Sequence, residues 1–194
     1  MPKNQFQRMI FALITVIITV HAFVLYNIYV VNGSLLMSSN HTDSVLDAVN
    51  KQGGIYMFGS YFPIWLVVIV EFVCAYTLEV TAGSPLSFRI AAKHFDPRKT
   101  NPLIFETVII AATVAIMCPA MSLIASVIYY PFYMGFDIIR LLCSWFKLVC
   151  CNLPFAFFSQ LLFIQPLVRK IFRLLFNRKK SQSLEINPAI QTAE

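Results

Sequence analysis

The sequence predicts an all-α integral membrane protein. Four transmembrane helices form two hairpins of one repeated unit, in parallel orientation, with both termini on the cytoplasmic side. Three observations predict this. Of 194 residues, 58% are hydrophobic and 12% charged, against about 45–50% and about 25% in an average soluble domain. A soluble globule of this size would lack the polar surface it needs. The apolar residues also gather into four long runs between polar or basic connectors, and a helix needs about 20 such residues to cross a bilayer. Finally, a pattern that closes the second run recurs 81 residues later, at the close of the fourth. The composition excludes disorder. The net charge of +6 is no argument for nucleic acid, because the basic residues flank apolar runs.

The first run, residues 9–31, follows Lys3 and Arg8. A signal peptide has an apolar core of about 7–15 residues, so this longer run reads as a retained span. In the polar connector 32–59, Thr42 is placed to open a short helix reaching Asn50. The second run, 61–82, is ended by Gly83-Ser84-Pro85. A basic connector follows, with Arg89, Lys93, His94, Arg98 and Lys99. The third run, 102–130, starts at Pro102, a residue suited to a first helical turn. The fourth, 144–168, is ended by Gln165-Pro166. The expected units are therefore 1–100, 101–176 and a disordered cytoplasmic tail at 177–194.

Charge orients the chain. Lys3 and Arg8, four residues of the second connector and six of the tail are 12 of the 15 Lys and Arg. Positive charge collects on the cytoplasmic side, which puts both termini there. Trp65, Trp145, Tyr26, Tyr29, Tyr61, Tyr129, Tyr130 and Tyr133 then read as an outer aromatic belt. The tract Arg169, Lys170, Arg173, Arg178, Lys179, Lys180 is expected against anionic lipid headgroups. The five cysteines read as small buried hydrophobes, with no spacing for a zinc site.

At the offset of 81, Pro85 matches Pro166, Leu86 matches Leu167, Arg89 matches Lys170 and Phe95 matches Phe176. Glu71 then falls on Asn152, and Glu79 on Gln160. Each unit crosses the membrane an even number of times, so the copies share one orientation, as in a parallel repeat.

These residues resemble a family of small bacterial membrane proteins known only as a domain of unknown function, with a duplicated two-helix unit. The resemblance spans most of 5–176. It rests on Tyr26-Asn27 before Asn32-Gly33, on Ala75-Tyr76-Thr77-Leu78-Glu79 before Pro85-Leu86, and on Met121-Ser122-Leu123. It is most specific at Asn152-Leu153-Pro154 with Ala156, Gln160, Pro166-Leu167-Val168-Arg169 and Phe172. Where relatives usually have Asp before the second-helix proline, this chain has Glu79. The resemblance implies four helices in a bacterial inner membrane and no particular chemistry.

An ionisable group in mid-span costs about 2.5–3.5 kcal/mol on insertion scales and is a site candidate by default. His21 and Glu71 both lie about 20 Å from the cytoplasmic ends of their helices at about 1.5 Å per residue. Glu79 is two turns below Glu71, and Glu106 enters helix 3 where it can approach Glu79. One reading is a proton or solute site of His21, Glu71, Glu79 and Glu106, with Asn152 and Gln160 as neutral partners. The other is that these groups only hold the hairpins together. Pro119 and Pro154 are helix kinks, ordinary in membrane helices. The small residues of helix 3, including Ala115, Ser122 and Ser126, suit close packing in a homodimer or on a membrane partner. Nucleophile motifs, phosphate loops and metal clusters are lacking, so neither an enzyme nor a cofactor is expected. The leading expectation is a small proton-linked transporter or permeation protein. The alternative is a non-catalytic accessory protein that stabilises a membrane partner.

Overall fold

Val16, Val20, Val24 and Ile28 recur every four residues along the first run, and this stripe is what the first helix buries. In the computed structural model, which describes residues 5–96 and 99–186, the run forms α1 (Gln5–Tyr26) and then a π turn at Asn27–Val31. Among the described residues, four helical stretches are long and apolar enough to cross a membrane: Phe6–Val31, Ile64–His94, Leu103–Ile128 and Ile138–Phe176.

The second and fourth stretches outrun their expected ends, and the reason is local. Gly83-Ser84-Pro85 does not stop the helix. After α4 (Ile64–Leu78) the chain widens into a π turn at Glu79–Gly83, and α5 (Ser84–His94) continues. The N–H of Ser84 reaches back five residues to the carbonyl of Glu79. A proline lacks an N–H and its ring crowds the carbonyl four residues back. Widening the helix just ahead of Pro85 relieves both problems without a break. The fourth span does the same. α7 (Ile138–Ser159) widens at Gln160–Ile164 before Pro166, and α8 (Gln165–Ile186) follows.

The expected disordered tail begins at 177, yet the backbone stays helical to Ile186. Lys179, Lys180, Gln182, Leu184 and Glu185 are good helix formers, and the next breaker is Pro188. Residues 187–194 of that tail, like Lys3 and Arg98, lie outside the described residues.

The first connector is folded. It holds α2 (Gly33–Asn40), α3 (Val45–Lys51) and a hairpin of β1 (Ile55–Met57) and β2 (Ser60–Phe62), paired Tyr56 to Tyr61. The helix expected from Thr42 begins at Val45 instead. The hairpin turns on Phe58 and Gly59, both at positive φ (49° and 87°), as a two-residue primed turn requires. Phe58 N–H donates to the Ile128 carbonyl at 2.9 Å, and Val45, Ala48, Val49 and Met57 are buried. The connector therefore caps one end of the helices.

Helix α6 (Pro102–Ile128) starts at the expected proline, with Asn101 accepting from Leu103 N–H at 3.0 Å. Pro119 and Pro154 sit inside α6 and α7 without breaking them. Donors from other helices arrive beside both kinks: Trp145 Nε1 gives to the Pro119 carbonyl at 2.9 Å, and the Tyr26 hydroxyl to the Cys151 carbonyl at 3.2 Å. The expected aromatic belt is therefore divided. Trp65, Tyr61 and Tyr133 are exposed, Tyr130 is buried, and Tyr26 and Trp145 point across the bundle.

The helices close a ring. α1 packs on α4 and α6 on α7, while α5 packs on α6 and α8 on α1. Ser122 and Ser126 are buried, so part of α6's small-residue stripe is used within the chain. Of the five cysteines only Cys118 is buried, which corrects the expectation for the others.

Candidate functional site

The ring surrounds a partly open cavity of about 1440 Å³, lined by all four spans and the cap. At one end its wall carries Arg8, Arg169, Arg173 and Glu106. At the other it carries Gln52, Tyr56 and Tyr61 of the cap. The stripe of α1 that follows helical spacing supplies Thr15, Thr19, Phe23 and Asn27.

Five of the expected site residues open on this space. Glu71, Glu79, Glu106, Asn152 and Gln160 all line it. Their partners differ from expectation. The Glu71 carboxylate accepts from the Tyr129 hydroxyl at 2.5 Å, which ties α4 to the end of α6. Glu79, first residue of its π turn, accepts from the Ser84 hydroxyl at 2.6 Å. A Cβ on Gly83 would lie 2.6 Å from Glu79 Oε2 and 2.8 Å from Met117 Sδ, so the missing side chain there is the room the carboxylate occupies. Gln160, first residue of the other π turn, donates from Nε2 to Thr19 Oγ1 at 2.9 Å. It accepts from Gln165 Nε2 at 3.4 Å. Asn152 is only 6% exposed, and its Oδ1 has no partner among the described residues.

Glu106 does not turn to Glu79. It pairs with Arg169 at 2.5 Å, linking α6 to α8. Arg169 therefore leaves the tract assigned to lipid headgroups and faces the cavity. His21 is not in the site. It is exposed on the outer side of α1, with Nδ1 2.7 Å from the Ile17 carbonyl. The expected His21–Glu71 relay thus has no histidine, although depth alone allowed one. His21 is two residues from Thr19, about 200° around the helix.

Tyr129 is the member that sequence reasoning missed. Placed one residue past α6, it read as interfacial, yet its hydroxyl points inward to Glu71. Among the described residues neither Glu71 nor Glu79 is in an ion pair, and no group of three or more His, Cys, Asp or Glu is placed to hold a metal ion. Chemically, the wall offers carboxylates, hydroxyls and amides along a largely apolar cavity.

Four apolar helices around a largely apolar cavity with a few polar groups define a multi-pass, membrane-embedded protein. Residues 98–176, which hold the third and fourth spans, match the model of a domain of unknown function (DUF2798). No curated protein and no solved structure matches the chain.

Proposed function

We propose that this is a small proton-linked transporter or permeation protein of a bacterial inner membrane. The observation that carries this reading is the shared cavity: Glu71, Glu79, Asn152 and Gln160 sit on two separate spans, and all four open on one space. Burying ionisable groups in a bilayer is costly, and evolution retains them chiefly along solute or proton paths. π turns also recur at functional positions, and two of the cavity residues begin one.

The same reading includes two parallel copies of a two-helix unit. The equal spacing of the π turns supports it, since Glu79–Gly83 and Gln160–Ile164 each precede a proline by the same interval. It also includes cytoplasmic termini, supported by Arg8, Arg169 and Arg173 meeting at the uncapped end of the cavity. The accessory reading loses part of its motive, because Ser122 and Ser126 are buried within the chain.

The test is proton flux in proteoliposomes. Wild-type protein should dissipate an imposed pH gradient, and Glu71→Gln with Glu79→Gln should abolish the effect. Equal flux from wild-type and doubly substituted protein would refute the proposal.

A further inference from the structure

We infer that the middle of the cavity, at Glu71, Asn27 and Asn152, binds a small organic cation bearing an ammonium group. This rests on the reading of the cavity as a solute site and names the class of solute.

Three observations converge on it. The first is charge. Among the described residues, the basic side chains on the cavity wall are Arg8, Arg169 and Arg173, all at the uncapped end. Beyond them the described wall presents Glu79 and Glu71 with no lysine, arginine or histidine. A charge buried in low dielectric needs a counter-charge, and the wall of this region supplies none.

The second observation is unmet acceptors. Among the described residues Asn152 Oδ1 is buried without a partner, in a residue 6% exposed, and Asn27 Oδ1 is buried without one too. The amide nitrogen of Asn27 gives one of its two N–H groups to the Phe23 carbonyl at 2.9 Å, which holds the side chain in place and leaves Oδ1 as its buried, unmet atom. Glu71 has a single hydroxyl donor, Tyr129, for a carboxylate with about four lone-pair sites. The unmet demand is for N–H donors on a positive centre. An ammonium group carries three.

The third is level. The Tyr26 hydroxyl bonds the Cys151 carbonyl, joining the chain neighbours of Asn27 and Asn152. Val24 and Ile28 pack in one cluster with Ala75, Val68 and Phe72, which brackets Glu71. These contacts set the three acceptors at neighbouring levels of one cavity wall. Apolar neighbours on the same wall, Val24 and Ile28, suit a short carbon chain. An anion is disfavoured by the carboxylates, and no metal-binding group is present among the described residues.

The experiment is calorimetric titration of the purified full chain in detergent with butylammonium, butanol and butyrate at equal ionic strength. Butylammonium should bind saturably, and the other two should not. Glu71→Gln keeps an acceptor for Tyr129, so the fold should be retained, yet affinity should fall about tenfold or more. Asn152→Leu should weaken binding about threefold to tenfold. His21→Gln, on the outer face, should leave it unchanged. No saturable binding, butyrate binding as well as butylammonium, or full affinity in Glu71→Gln each overturns the inference. Carboxylate-dependent proton flux in a protein that binds no butylammonium would refute the ammonium site and leave the transport reading standing. Butylammonium binding without flux would do the reverse.

Discussion

Span two widens at Glu79–Gly83 and span four at Gln160–Ile164, each just ahead of a proline, yet the two turns are filled differently. In the first, a carboxylate is held by the neighbouring Ser84 and lies in the gap left by Gly83. In the second, an amide reaches another helix through Thr19, and the residue corresponding to Gly83 is Ile164, 3% exposed. The backbone widening answers the proline in both places. Side-chain chemistry is free to diverge on top of it. One turn makes room for a charge, and the other closes the packing around a neutral group. Glu71 and Asn152 repeat the contrast eight residues earlier on each span.

Substitutions can break this contrast at graded cost. Ile164→Ala should have the largest effect on stability, about 2–5 kcal/mol, because it opens a cavity in the closed turn. Reversible unfolding in mixed micelles measures it. Gly83→Ala, the converse change, should cost about 1–3 kcal/mol by overpacking and should displace Glu79 or Met117, so proton flux should fall with stability. Ser84→Ala removes a hydrogen bond to a carboxylate and should cost about 1 kcal/mol. Gln165→Ala, whose bond to Gln160 is 3.4 Å long, should cost under about 0.5 kcal/mol. Equal costs for the last two would mean that the turns are not differentiated as described.

The expected spans were recovered in number but not in length. Composition and hydropathy report where a chain is apolar. They do not report how a helix passes a proline, and so Pro85 and Pro166 read as stops. The folded cap was legible in part. Ile55-Tyr56-Met57 and Ser60-Tyr61-Phe62 are β-prone and flank a Phe-Gly turn, a weaker hairpin signal than Asn-Gly. For the site, Glu71, Glu79, Asn152 and Gln160 were found because polar residues in apolar runs stand out. His21 was misplaced because depth along a helix says nothing about angle around it. Applying the α1 stripe of Thr15, Thr19 and Phe23 would have turned it outward. The Glu106–Arg169 pair was legible as opposite charges near the same end of adjacent spans, but assigning Arg169 to orientation and lipid headgroups concealed it.

We propose that the carboxylates of span two, rather than the amides of span four, carry protons through the shared cavity. Proton flux through proteoliposomes holding wild type, Glu71→Gln, Glu79→Gln, Asn152→Ala and Gln160→Ala in parallel tests it most directly. Each carboxylate variant should lose at least about tenfold in rate, equivalent to about 1.4 kcal/mol, while the amide variants should keep most of theirs. Rates that fall equally in all four variants, or in none, would contradict it.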